Sequence, residues 1–310
     1  MLEGIFVEGL IFSIMVLGIL ISYRILDLAD LTCDGSFATG AAIAAMAIVS
    51  GMGVFTALLL AFIGGILCGM VTALIHTRLR IPGLLASILT MTMLYSINLR
   101  ILGNKANVQL LRGVETLYRS FPEHVPFLSS AAASLLITLI IVLAIKIIFD
   151  LFFRTDLGLA IGALGGNEQV IISQGMNPSV LKIIGLGLSN GLIALSGGLL
   201  AQYQGFADAN LGQGMVVQGL AAIMLGEFLF SSNKITLITL RAILGAIIYK
   251  ALMFFGRKYG YLIGITTNDF KLLTGILVII SLAVAKARAA GSAKSARRKA
   301  IKANMGGHDA

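Results

Sequence analysis

Charge is what this sequence has least of. Only 12% of its 310 residues are Asp, Glu, Lys or Arg, where a soluble domain carries roughly 25%. With 58% hydrophobic residues and a mean hydropathy of +0.97, the chain has more apolar surface than its own core can hide. In water the excess would stay as exposed patches, which excludes an ordinary soluble domain and leaves the bilayer as the solvent. Tryptophan is absent, so any aromatic belt falls to Tyr and Phe. Proline is rare at 4 residues against 36 glycines. Those glycines sit inside apolar runs, which excludes a linker or a collagen and fits helices whose backbones approach closely. The two cysteines, Cys33 and Cys68, match no CxxC or zinc spacing and read as small apolar residues. His76, His124 and His308 are scattered, with no H-E-x-x-H and no Ser/His/Asp grouping. An intramembrane protease would need paired carboxylates on two helices, whereas Asp27, Asp30 and Asp34 crowd one segment. Nor is there a GxxxxGK[ST] phosphate loop; Gly214 to Gly219 has the glycine spacing without the lysine.

What is present is a series of apolar runs near the length of about 20 residues that spans a bilayer. They are Gly4–Ser22, Phe37–Ser50, Val54–Ile75, Pro82–Leu102, Ala131–Phe153, Ser179–Gln202, Met215–Phe230, Ile235–Phe255 and Phe270–Ala285. The expected fold is an all-α integral membrane bundle of about nine transmembrane helices, with a broken second helix. The first run is no signal peptide, because Glu3 and Glu8 replace a basic start and no small-residue cleavage site follows. Residues 1–286 are expected to form one transmembrane domain, with the segment 154–178 on its cytoplasmic side, and 287–310 a basic tail without expected order.

The net charge of +9 gathers in that tail, at Lys286, Arg288, Lys294, Arg297, Arg298, Lys299 and Lys302. Directly after a hydrophobic run, such a cluster reads as facing anionic lipid in the cytoplasm rather than nucleic acid. The positive-inside rule then puts the C-terminus in the cytoplasm and, with nine spans, the N-terminus outside. The tail decides this, since the remaining loops are nearly balanced.

Three features carry functional weight. Between Tyr23 and Ser36, Asp27, Asp30 and Asp34 interleave with apolar residues. Ionisable groups at membrane depth face a partner, a cavity or a pathway. Two readings stand: a broken helix whose polar turn lines a translocation route, or an interfacial loop with a helix cap at Asp34 or Ser36. The second feature is an echo of Gly35-Ser-Phe-Ala-Thr-Gly40 in Gly214-Met-Val-Val-Gln-Gly219, placed as an inverted repeat would place it. Chance similarity among small residues reads equally well. The third is the polar stretch Arg154 to Asn177, in which Asp156 caps a short helix, Gly165-Gly166 or Asn167 ends it, and Leu157, Ile161 and Leu164 form its apolar side. Such a helix docks into a partner's groove or lies on lipid.

The order Thr155-Asp-Leu-Gly158 … Gly165-Gly-Asn167 … Gln174-Gly-Met-Asn177, followed by Lys182-Ile-Ile-Gly-Leu-Gly-Leu-Ser-Asn190-Gly and Gly219-Leu-Ala-Ala-Ile-Met-Leu-Gly226-Glu227, resembles bacterial ABC-importer permeases of the branched-chain amino acid and ribose type. Leu28-Ala-Asp-Leu-Thr-Cys-Asp-Gly-Ser-Phe37 with Gln202-Tyr-Gln-Gly-Phe206 is similar to a subgroup that takes up amino acids, aromatic ones included. The resemblance covers about residues 5 to 285. It implies a second permease copy, identical or related, and an extracytoplasmic solute-binding protein. It also implies cytoplasmic ABC ATPase subunits that carry the ATP, this chain itself holding no cofactor and no metal. Contact with the ATPase would fall on Thr155, Asp156, Leu157, Gly158, Gly165, Gly166, Asn167, Glu168 and Gly175. Gly162 departs from the pattern, standing where a basic residue is expected.

For the translocation pathway the candidates are Asp27, Asp30, Thr32, Asp34, Ser36, Asn98, Gln202, Gln204, Asp208 and Asn210, each polar and near the end of an apolar run. Simple interfacial solvation is the competing account of the last five. Phe37, Met93 and Phe206 are apolar walls of that path or plain packing. Glu227, inside an apolar run, pairs with a neighbouring helix or faces a dimer seam. Two rival functions remain: a stand-alone secondary transporter driven by an ion gradient, and a membrane scaffold indifferent to loss of the three aspartates. Within the importer reading, a sugar or nucleoside is the alternative cargo to an amino acid.

Overall fold

The computed structural model describes residues 2–111, 113–124, 128–230 and 234–260, with positions 272, 275, 276, 279 and 283. The basic tail and the apolar run from 270 to 285 lie outside the described residues, apart from those single positions. The helices are α1 (Leu2–Ile19), α2 (Thr32–Val49), α3 (Val54–Arg78), α4 (Gly83–Ile101), α5 (Leu117–His124), α6 (Ser130–Phe152), α7 (Asp156–Gly166), α8 (Glu168–Ser173), α9 (Pro178–Gln204), α10 (Met215–Leu229) and α11 (Ile235–Gly260). Two short strands, β1 (Asn107–Gln109) and β2 (Phe206–Asp208), pair antiparallel. Among the described residues seven helices are long and apolar enough to cross a membrane: α1 with its continuation, α2, α3, α4, α6, α9 and α11. The seventh expected span, Met215–Phe230, is helix α10, apolar but only 15 residues long, about 22 Å at 1.5 Å per residue.

Helix α9 is the centre of the bundle, packed on α1, α2 and α3. Its small residues make this possible. A Cβ on Gly65 of α3 would collide with the Asn190 carbonyl and with Ala194, so only glycine permits the α3–α9 approach. Hydroxyl groups add cross-links that apolar side chains cannot: Ser189 Oγ donates to the Gly18 carbonyl and Ser196 Oγ to that of Ile11, both at 2.7 Å. These contacts also fix direction. Ile11 and Gly18 ascend α1 while Ser196 and Ser189 descend α9, so the two helices are antiparallel. Ser36 meets Asn190 and Ala44 meets Gly198, so α2 runs with α9. Gly219 faces Ile19, and Glu227 faces Arg24, so α10 runs with α1 and against α2.

The polar break after the first span is shorter than the sequence suggests. The chain leaves α1 through a π-helical turn, Leu20–Ile25, closed by Leu26 N–H to the Ile21 carbonyl at 2.9 Å. It then turns at Asp27, whose φ of 52° lies in the left-handed region that Asp tolerates. Helix resumes at Thr32, so Thr32 to Ser36 form the first turn of α2 instead of a loop. Neither Asp34 nor Ser36 caps that helix; the Asp30 carboxylate does, accepting from Thr32 N at 2.8 Å.

Candidate translocation site

Asn190 is the thirteenth of the 27 residues of α9, close to mid-span, and a buried polar network is built around it. Its Nδ2 donates to Asp30 Oδ2 at 2.7 Å, and its Oδ1 accepts from Ser36 Oγ at 2.7 Å. Thr32 Oγ1 and Thr72 Oγ1 share a hydrogen bond of 2.7 Å. A second node follows one turn along α2, where Thr39 Oγ1 donates to Asn98 Oδ1 at 2.7 Å. All of these side chains are buried. The network fixes the starting depth of α2, because an amide at mid-span leaves the Asp30 and Ser36 oxygens no better partner in apolar surroundings.

Asp34 belongs to a different junction. Its two carboxylate oxygens accept from Gly214 N and Val216 N, each at 2.8 Å, so it caps α10 from 180 residues away. The backbone of Gly212 packs flush against the Asp34 carbonyl. A carboxylate at a helix N-terminus satisfies orphan N–H groups and meets the positive end of the helix dipole. The two glycine-punctuated stretches thus start two oppositely directed helices at one shared depth.

Beside this junction a pocket of about 430 Å³ is lined by Asp34 and Gly35 of α2, Met91, Thr92, Tyr95 and Asn98 of α4, and Ala209, Asn210, Gly212 and Gln213 before α10. It extends from mid-depth toward the end of the bundle that carries the β1–β2 pair. Its size falls within the roughly 300–1,000 Å³ of small-molecule sites.

At the opposite end, α7 and α8 close the bundle. Thr155, not Asp156, caps α7, its Oγ1 accepting from Gly158 N at 3.3 Å. Asn167 ends α7 and caps α8, accepting from Gln169 N at 2.9 Å. The inward side of α7 is Gly158, Ala160, Ile161 and Leu164. Leu157 instead points outward with Leu159, since one residue before Gly158 is already a 100° step around the helix. Gly165 lies directly on the Ile25 carbonyl, too close for any Cβ. At that same end Glu227 pairs with Arg24 and with Arg241 of α11, each at 3.6 Å, which realises the expected pairing with neighbouring helices. Glu168 is bridged to Lys182 at 3.2 Å. Gly166 and Gly175 are exposed at the ends of their helices.

The ten pathway candidates therefore divide. Asp34, Asn98 and Asn210 line the pocket. Asp30, Thr32 and Ser36 are committed to the network behind it. Four stand apart. Asp27 is exposed at the turn beside α1, and Gln204 is exposed at the last residue of α9. Gln202 Oε1 accepts from Leu117 N at 3.1 Å, packed against α5, and its Nε2 has no partner among the described residues. Asp208 accepts from Asn210 N at 2.7 Å and shapes the turn before α10. Of the apolar walls, Phe37 is fully buried, Met93 points away on an exposed face and Phe206 lies in β2. Met91 and Tyr95 face the pocket instead. Sequence reasoning passed over them and Asn190. The available signal was the i, i+4, i+7 spacing of Met91, Tyr95 and Asn98, which shares one helix face.

A polytopic helical bundle with a buried polar junction at mid-depth fits a membrane transporter. Comparison with known proteins makes the class definite. Residues 1–282 match the family described as "Branched-chain amino acid transport system / permease component", and the chain belongs to that family. It is a permease component of an ABC-type transport system, a multi-pass membrane protein and not an enzyme. A "Tyrosine transport system permease protein" of Clostridioides difficile (strain R20291) is 40% identical over 280 residues, 90% of each chain. An uncharacterized protein of Rickettsia prowazekii (strain Madrid E) is 36% identical over 280 residues, 90% of this chain and 95% of that one. Among solved structures, PsaBC from Streptococcus pneumoniae in complex with Fab aligns over 89% of both chains with a TM-score of 0.52 at 15% identity, a likeness of fold.

Proposed function

We propose that this chain forms the translocation pathway of an ATP-driven importer for an amino acid, with ATP hydrolysed by separate cytoplasmic subunits. The proposed assembly has two permease copies, identical or related, in a bacterial inner membrane. The N-terminus and the β1–β2 end lie outside, and the basic tail lies in the cytoplasm. A solute-binding protein delivers cargo at the outer end. The ATPases grip α7 and α8, where Thr155 to Glu168 and Gly175 lie. The exposed Leu157, Leu159, Val170 and Ile172 lie outside the spanning helices, so a protein groove is their fitting cover. With Gly162 in place of a basic residue and open space above it, the grip is apolar rather than ionic.

One observation carries the reading: the stretch 20–34 links α7 to α9, to both ends of α10 and to the pocket. Ile25 bears on α7, Arg24 pairs with the far end of α10, Asp30 is anchored on α9, and Asp34 caps the near end of α10. A push on α7 thereby reaches α10 and the pocket at its start. A secondary transporter has no use for this linkage.

The test is an affinity pull-down of the tagged protein in mild detergent, with mass spectrometry of what co-purifies. Recovery of a Walker-motif ATPase, lost when residues 156–167 are replaced by a flexible linker, is the expected result. A partnerless protein that moves solute in liposomes under an ion gradient overturns the proposal.

A further inference from the structure

We infer that the groove between α3 and α6, floored by α9, is a binding site for one acyl chain of a membrane lipid, in the leaflet on the α7 side. It is independent of the cargo and shares no residue with the α4–α10 pocket.

Helix α6 packs on α1 and α5, which leaves a gap of about 530 Å³ between it and α3. None of the gap's described lining residues is polar. Water needs polar partners to stay in such a space, and at this depth the surrounding solvent is hydrocarbon. Leu188, Leu192 and Leu195 of α9 form a half-buried floor, and Phe55, Leu59 and Ile148 stand exposed at the lips. The dimensions select the occupant. From Leu188 to Leu199 on α9, and from Ile141 to Phe152 on α6, the groove runs for about 17 Å at 1.5 Å per residue, close to the roughly 15 Å of one leaflet's hydrocarbon. Over that length its volume gives a section of about 30 Å², whereas a helix about 10 Å across with its side chains fills about 80 Å². A polymethylene chain fits and a spanning helix does not. Lipid tails are as apolar as leucine, so close packing, not hydrophobicity, holds the chain there. The same wall carries α7. Gly158, in its first turn, packs against the Phe152 carbonyl and the Phe153 Cα, and the Phe153 ring meets those of Phe149 and Phe152 at 4.7 and 5.2 Å between centroids. The chain thus backs the rings on which α7 is seated.

The experiment feeds cells a palmitic acid analogue that carries a diazirine and an alkyne, irradiates them, and maps the labelled peptides of the purified protein by mass spectrometry. Peptides holding residues 141–153 and 188–199 should carry about fivefold more label than the exposed 88–93 face of α4, the ratio that a preference of about 1 kcal/mol supplies. Leu192→Trp fills the floor and should remove the excess, while Ile88→Trp on α4 should leave it. If Leu192→Trp fails to accumulate, Ala144→Leu fills the same space with less bulk. Equal label on the groove and on α4 marks ordinary bilayer contact and overturns the proposal, as does an excess that survives the filling variants. A disulfide between two Ile148→Cys copies, or from Ile148→Cys to Ile279→Cys within one chain, also overturns it, because a helix then covers the groove.

Discussion

Replacing Asn190 with leucine separates a structural keystone from an incidental hydrogen bond. The substitution keeps the number and branching of the side-chain heavy atoms and removes both polar ones. Two buried oxygens then lose their amide partner: Asp30 Oδ2, bonded at 2.7 Å and left with only the Cys33 thiol at 3.7 Å, and Ser36 Oγ, bonded at 2.7 Å. A buried polar group left without a partner costs about 1–3 kcal/mol, so Asn190→Leu should cost about 2–6 kcal/mol. The chain supplies its own probe, because Cys33 and Cys68 are its only cysteines and both are buried beside this network. A fluorogenic maleimide in detergent should therefore report one unfolding transition, displaced to lower temperature in the variant. Adding Ser36→Ala removes one orphaned oxygen and should return about 1–3 kcal/mol of the loss. An Asn190→Leu protein that melts with the wild type would refute the claim that the network sets the depth of α2. Two losses that simply add would refute the pairing.

Other perturbations test other joints of the fold. Gly65→Val drives a side chain into the Asn190 carbonyl and Ala194; overpacking alone costs about 1–3 kcal/mol, and here backbone blocks relief, so the variant should lose its monodisperse peak in size-exclusion chromatography. Gly65→Ala already sets its Cβ against the same carbonyl and should be destabilised too, though less than the valine variant. Asp34→Ala strips two N–H groups of their acceptor and should cost about 1–2 kcal/mol, the upper range of a lost helix cap. Its larger effect should be on uptake, with Asp34→Asn intermediate in both readouts. Glu227→Gln cuts both ion pairs while keeping shape. Since Glu227 is 33% exposed, the stability loss should be about 1–2 kcal/mol, short of the 3–5 of a fully buried pair. If the linkage through Arg24 matters, ATPase activity should continue in this variant while uptake falls.

The apolar runs were legible because a bilayer imposes one length on every helix that crosses it. Seven of the nine expected runs are membrane-length helices, α10 is a shorter one, and the ninth falls outside the described residues. The break near Asp27 was also legible, since charge is conspicuous in an apolar sequence. The role of Asp34 was not. Local chemistry made it a cap for its own helix, and only the three-dimensional approach of Gly212 to α2 brings it to α10 instead. Asn190 was hidden for the opposite reason: inside Leu-Ser-Asn-Gly it looks like one more small polar residue, until Asp30 and Ser36 arrive from 160 and 154 residues away. The side of α7 occupied by Leu157 was misassigned because a short helix between two spans has apolar residues on both faces. One set packs inward, and the other is exposed.

The shared starting depth of α2 and α10 has an electrical meaning. A pocket that reaches mid-depth carries solvent partway through the insulator, so the membrane voltage falls mainly across the septum beneath it. Each elementary charge moved through that septum would do work of about 2.3 kcal/mol per 100 mV. A solute with balanced charges crosses it with no such toll in either direction. On the proposed import of an amino acid, the field neither drags the zwitterion inward nor drives it back, and the direction of transport rests with the proposed ATPases.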